Sequence, residues 1–373
     1  MKKINICYFC IIFILILNNY INRIFGKILE INVLKNIEIL NIVLFLIFTG
    51  ILFILKNNFS KSDIKIIFLL LIFTIFLKKF YLSFFIIVIS NFINKKIRLK
   101  QLFFILCFFY ILVLFLNSLG VLDFNNVRNG IRKFENFEVY RYALGFSHPN
   151  AAMSLLLPIF SLLYYLYSKY KKIVIGIILI VGKIIFNLTF SRTTFLLIIL
   201  FVVLILIKDK YIKKLKFLFL TEGFFIVFLM YYLPFYFRDT VLNKLFSGRL
   251  WLFHYYLTNH KITLFGYSKI KEFYKSYPLD NVYLVTLFEN GIFGFILLII
   301  LIFIIMFILF KNRDYKAVRI FSIILIFGFM ESSALFYNFN IVYFIISDYI
   351  FKDKKKIRRI RNENNSKKNI IFY

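Results

Sequence analysis

The sequence predicts an all-α protein, a polytopic transmembrane helical bundle of about twelve spans with a large extracytoplasmic loop subdomain between spans 9 and 10. Three observations predict it. The composition is 62% hydrophobic over 373 residues, with a mean hydropathy of +0.85. Apolar runs able to cross a hydrocarbon layer of ~30 Å recur along the whole chain. Positive charge collects in every second connection, the pattern of cytoplasmic loops.

The expected spans are 4–17, 35–55, 64–77, 80–93, 101–119, 149–167, 173–190, 193–207, 217–234, 282–310, 317–336 and 340–351. The first follows Met-Lys-Lys as a signal peptide would, but no small-residue cleavage site follows it, and the first alanine is Ala143. It reads as an uncleaved helix. With the N-terminus inside, the short inside segments hold 30 of the 48 Lys and Arg residues. An even number of spans returns the C-terminus to the same side, so 1–351 is one membrane domain and 352–373 a basic cytoplasmic tail. Many residues are of the type that AT-rich codons write, so the total charge of +31 identifies no partner. The tail reads as a solvated or headgroup-facing segment, not a nucleic-acid site. Cys7, Cys10 and Cys107 fall in apolar helices, where they pack as small hydrophobes, and no disulfide framework is implied.

Two outside segments are long, 120–147 and 235–281, whereas the inside connections are short. Extra chain invested on one face marks that face as the working one. It carries Arg128, Arg132, Arg141, Arg192, Arg238 and Arg249, all three histidines, and Asp239, Glu272 and Asp280. Glu38, Lys183, Glu222, Glu289, Glu331 and Asp348 fall within spans, where ionisable groups face the bundle interior and often mark function. Glu331 lies near the outer end of the eleventh span and is the most informative of them.

Four stretches hold candidate chemistry. In GFSHPN, Pro149 suits the first turn of a helix, so His148 and Asn150 are either helix-start punctuation or groups held at the outer mouth to bind a polar ligand. In TFSRTTF, Arg192 sits at a tight outer turn; it either snorkels to headgroups or grips an anionic one with its planar fork. After Gly248, Arg249 opens an amphipathic aromatic helix, where a phosphate would meet a guanidinium and free helix N–H groups. His254 and His260, further along it, read as solvent-facing or packing residues. In YPLDNVYLVTLFENGIFG, Asp280 stands at the start of the tenth span, as general base or as helix N-cap, with Asn281 beside it.

The order and spacing of GFSHPN before a mid-chain span, SR at a tight outer turn, GR in a large outer loop and DNVYLVTLFENGIFG at the next span resemble the Wzy-type polysaccharide polymerases and the related O-antigen ligases. The resemblance covers most of the chain. It implies a multi-pass protein of the bacterial cytoplasmic membrane that joins undecaprenyl-pyrophosphate-linked oligosaccharides on the outer face, for a capsule, an O-antigen or an exopolysaccharide. It implies that Arg192 and Arg249 bind pyrophosphate, that Asp280 or His148 is the catalytic base, and that Arg141, Asn150, Asn281 and Glu331 line the substrate site. The implied partners are the lipid-linked glycan, the bilayer and a chain-length regulator; no metal or cofactor is expected, and no nucleotide-binding glycine loop is visible. Where the ligases carry histidine with asparagine, this chain has Asp280-Asn281, which favours a polymerase. A lipid-linked oligosaccharide flippase is the competing class, although no internal repeat supports it.

Overall fold

In the computed structural model the described residues are 2–25, 61–77, 80–122, 131–133, 138–267, 270–274 and 277–351, with isolated positions between 39 and 54. The expected second span 35–55 with Glu38, the position of Arg128 and the tail 352–373 lie outside them, as do the side chains of Arg132 and Glu272.

The apolar runs fold as helices: α1 (Lys2–Phe25), α2 (Lys61–Phe76), α3 (Tyr81–Ser90) and α4 (Lys95–Ser118), then α5 (Pro149–Ser154), α6 (Leu156–Tyr167), α7 (Lys171–Thr189) and α8 (Arg192–Leu206). Short helices α9 (Asp209–Lys214) and α10 (Lys216–Leu220) lead into α11 (Glu222–Phe237). The large loop holds α12 (Val241–Leu245), α13 (Arg249–Asn259) and α14 (Ile270–Phe273), and the chain closes with α15 (Val282–Lys311), α16 (Tyr315–Gly328) and α17 (Val342–Ile350). Among the described residues one small feature departs from the helices. Ile131–Lys133 (β1) and Glu138–Tyr140 (β2) pair as an antiparallel hairpin, Ile131 opposite Tyr140, inside the first long loop.

Among the described residues four helical stretches are long and apolar enough to cross a membrane: Lys3–Phe25, Lys95–Ser118, Pro149–Thr189 and Val282–Lys311. Ile64–Phe76, Tyr81–Ser90, Arg192–Leu206 and Glu222–Phe237 are apolar but shorter. The third stretch is not one rod. It turns at Ser168–Tyr170, and α7 packs back along α5 and α6, so that Leu188 O accepts from Tyr142 N–H (2.9 Å).

Contacts sort the helix ends into two groups. At one, the start of α4, the start of α16 and the end of α17 meet: fully buried Arg98 pairs with Asp348 at 2.6 Å and donates to the Ser90, Ile93 and Phe344 carbonyls. Lys95 pairs with Asp314 at 3.3 Å, and Arg319 with Asp209 at 2.6 Å. At the other lie the end of α1, the GFSHPN segment, the α7–α8 turn, and the starts of α15 and α17. This second end holds the candidate residues.

Three expectations are corrected there. Helix α1 does not stop at Leu17 but runs to Phe25, because its polar last turns find partners: Asn19 Oδ1 accepts from Asn338 Nδ2 at 2.7 Å. The eleventh expected span, 317–336, is cut short because α16 ends at Gly328, so Glu331 lies in an irregular segment. Helix α15 is broken. At 30 residues it would measure about 45 Å, longer than a hydrocarbon layer of about 30 Å, and Gly291 (φ 72°, ψ −174°) divides it into 282–290 and 292–311. The loop residues 263–267 seal the break: Ile292 N–H donates to Thr263 O (3.0 Å), Phe293 N–H to Leu264 O (3.1 Å), and Tyr267 N–H to Phe288 O (2.8 Å).

Candidate functional site

The segment from Asn281 to Thr286 explains how the site is held. Asn281 is the N-cap of α15: its fully buried Oδ1 accepts from Tyr283 N–H (2.9 Å) and Leu284 N–H (3.0 Å), while Nδ2 donates to Phe329 O (3.2 Å). The cap role open to Asp280 therefore belongs to its neighbour. Asn281, with its oxygen and one amide hydrogen committed, builds the site from behind and does not face a ligand.

Asp280 is released to another task. Its Oδ2 accepts from Arg249 Nη2 at 3.0 Å. Arg249 is 9% exposed and its Nε is buried without a hydrogen-bond partner, so the guanidinium carries an unmet donor beside the carboxylate. Asp280 keeps 42% of its side-chain surface, yet the surrounding protein desolvates it and pushes its carboxyl above the usual range. Arg249 opposes that rise and the nearby charge of Glu331 adds to it.

Glu331 leads on to residues that sequence reasoning missed. Ser333 Oγ donates to Glu331 Oε1 (2.7 Å) and accepts from Arg23 Nη2 (3.0 Å). The Arg23 guanidinium also lies 4.7 Å from the centre of the Phe339 ring. The backbone carbonyl of Arg23 accepts from Ser147 N–H at 2.7 Å, which places GFSHPN against the end of α1. Hydrogen bonds thus join Ser147, Arg23, Ser333 and Glu331, and Glu331 acts on the Asp280–Arg249 pair through its charge. The available signal was the polar run NNYINR closing an apolar helix.

His148 is the N-cap of α5 with Pro149 following, as the punctuation reading expects, and its Nδ1 accepts from Asn150 N–H at 3.0 Å. An accepting Nδ1 puts the neutral ring's proton on Nε2, which makes that nitrogen a donor and not a base. Asn150 Oδ1 accepts from Arg141 Nη2 (2.9 Å), and Arg141 Nε donates to Thr189 O (3.0 Å), closing the end of α7. Arg192 reaches a different place: Nη2 lies 3.5 Å from Lys244 O, toward α12.

The helix start after Gly248 does not offer its N–H groups. Asn243 Oδ1 takes Leu250 N–H (3.1 Å) and Trp251 N–H (3.4 Å), so an anion there would meet Arg249 but not an open helix terminus. His254 Nδ1 accepts from Arg238 Nη1 at 2.9 Å; burial and that positive neighbour lower its pKa. His260 is lowered by burial against Tyr256, whose ring centre is 5.1 Å away.

Among the described residues no group of three or more His, Cys, Asp or Glu side chains is placed to hold a metal ion. The arrangement can do two things: bind an anion through Arg249, and take a proton on Asp280. The fold and its apolar helices define the class, a helical membrane protein with an ionic site at one end of the bundle. No family model, curated protein or solved structure matches the chain.

Proposed function

We propose that the protein is a polysaccharide polymerase acting on undecaprenyl-pyrophosphate-linked oligosaccharide repeat units at the outer face of a bacterial cytoplasmic membrane. The proposed topology has twelve spans, both termini in the cytoplasm, and 235–281 as an outer subdomain. The observation that carries the reading is the Arg249–Asp280 pair at 3.0 Å, with an unmet Arg249 Nε beside it.

In this mechanism an acceptor hydroxyl attacks the anomeric carbon of the donor. Its proton passes to Asp280, the new C–O bond forms, and the bond to phosphate breaks with its electron pair leaving on the lipid pyrophosphate. Arg249 turns part of its fork to the phosphate oxygens and stabilises the charge developing there, while Arg192, toward α12, is the cation for a more distant part of the lipid pyrophosphate. As Arg249 shares its charge with phosphate, Asp280 loses its counter-ion and becomes a stronger base at the moment it is needed. His148, held by Asn150 N–H, and the Arg141–Asn150 pair form one wall of the site.

Purified protein in liposomes, given the lipid-linked oligosaccharide of its own cells, is expected to yield a ladder spaced by one repeat unit. Asp280→Asn, inserted stably, is expected to abolish the ladder. A full ladder from Asp280→Asn would remove the mechanism. A product of unchanged length from the wild type would instead favour a ligase or a flippase, and a non-lipid acceptor or a flipping assay separates those two.

A further inference from the structure

The ion pair accounts for phosphate and proton but not for the sugar. Resting on the reading above, we propose that Trp251, Tyr255 and Tyr277 form a glycan-binding subsite, a ladder of aromatic faces that carries pyranose rings toward Asp280. Trp251 and Tyr255 lie one turn apart on α13 with ring centres 5.8 Å apart and planes 15° apart. Tyr277 continues the series at 5.2 Å and 34° from Tyr255. Trp251 is 44% and Tyr277 40% exposed, so ring surface is open at both ends.

The middle ring is braced. Tyr256 meets Tyr255 edge-on at 6.0 Å and 89°, and His260 does so at 6.0 Å and 76°. The Tyr256 hydroxyl donates to Tyr277 O at 2.5 Å, which ties α13 to the segment leading into Asp280. The ladder therefore has a direction. Its helix begins at Arg249, and Tyr277 stands three residues before Asp280.

An offset aromatic stack with part-exposed outer rings suits sugars for a physical reason. A pyranose presents one face of C–H groups, which packs on the negative face of a ring, while its hydroxyls point outward to water. The loop's lipid-facing edge lies elsewhere. Leu264 and Phe265 are exposed, and Phe265 packs at 6.3 Å on Phe293, in the half of α15 long enough to cross a membrane.

Trp251 is the sole tryptophan of the chain, so the emission of the full-length protein in detergent micelles reports on this ladder alone. The probes are the free oligosaccharide released by mild acid from the cell's own lipid-linked pool and, separately, inorganic pyrophosphate. The free oligosaccharide is expected to change Trp251 emission saturably, and pyrophosphate to leave it unchanged. Tyr277→Ala is expected to weaken the titration by about tenfold while Tyr277→Phe preserves it. Calorimetry with Trp251→Ala against Trp251→Phe checks the same surface independently of fluorescence.

Equal oligosaccharide affinity in wild type, Tyr277→Ala and Trp251→Ala would overturn the proposal, as would Trp251 emission quenched by brominated lipid and indifferent to glycan, the signature of a membrane anchor. If the wild type still forms a product ladder in either case, the polymerase reading survives and only the subsite falls. If the wild type forms no ladder and yet binds the free oligosaccharide through these rings, the subsite stands and the polymerase reading falls.

Discussion

Replacing Gly291 by alanine tests whether the break in α15 is a built feature. At φ 72° and ψ −174° the residue occupies backbone space that is essentially glycine's alone, and an L side chain there costs about 1–3 kcal/mol. The added Cβ would also overlap the Leu264 carbonyl and the Gly266 amide across the seal, so the loop must move away. That movement threatens the three bonds at 2.8, 3.0 and 3.1 Å that join 263–267 to the helix, each worth about 0.5–1.5 kcal/mol. The total is roughly 3–7 kcal/mol. Gly266 faces the same seal from the loop side, where an added Cβ would overlap the Glu289 carbonyl, so Gly266→Ala should resemble Gly291→Ala. Gly176 is the control. It lies within α7 with open space around it, and alanine there gains helix propensity of up to ~1 kcal/mol. The free cysteines Cys7, Cys10 and Cys107 make a thiol-reactive dye a reporter of unfolding in detergent. Gly291→Ala should lower the melting midpoint by at least about 5 °C, and Gly176→Ala should leave it level or raise it. A Gly291→Ala protein that melts with the wild type would refute the reasoning, because the strained backbone and the seal would then contribute nothing.

Three further outcomes follow from the site. The carboxyl of Asp280 is raised above its usual value of 3.8, so its base activity should fall on acidification at a higher pH than for an ordinary carboxylate, while its contribution to stability falls as pH rises through the same window, since the folded state holds the proton longer. Arg249→Ala should move the acid limb of the pH–rate profile up and Glu331→Gln should move it down; shifts in the same direction would remove the electrostatic account. Asn281→Ala should destabilise by about 1–2 kcal/mol through loss of the cap, whereas Asp280→Ala leaves the cap intact, a contrast that denaturation of both variants reads directly. Arg98→Met should destabilise by about 3–5 kcal/mol by stranding Asp348 and yet leave the acid limb in place; a thermal melt and a pH profile check both halves.

Much of this arrangement was legible in the chain. Hydropathy located most helices, and residue type singled out Asp280, Arg249, His148 and Glu331. Periodicity could not say which of two adjacent polar residues caps α15, because aspartate and asparagine are both good caps; the buried Phe329 carbonyl decides it, since only an amide can donate there. Nor could it show that Asn243 closes the start of α13, a contact between two short helices that no local pattern encodes. Arg23 was passed over because the first span was ended at its first polar residues. Those residues are helical all the same, since Asn338 and Ser333, more than 300 positions away, satisfy them.

The two ends of the bundle treat charge differently, and the difference bears on where chemistry belongs. At the Arg98 end the cations are consumed. Arg98 spends both Nη groups on three carbonyls and Asp348, and Asp314 takes Lys95 together with the Tyr165 and Tyr349 hydroxyls, both at 2.6 Å. A charge so enclosed fixes how helices meet and has little left to offer a ligand. At the Asp280 end the pairing is incomplete. Both arginines keep a buried Nε without a partner, but Arg249 donates from Nη2 to Asp280, and that carboxylate keeps 42% of its surface. Breaking one bond to a part-exposed carboxylate costs less than breaking four enclosed ones, so Arg249 is the arginine able to turn toward an anion that arrives and leaves. In the proposed topology this end faces outward, where a lipid-linked pyrophosphate would be met.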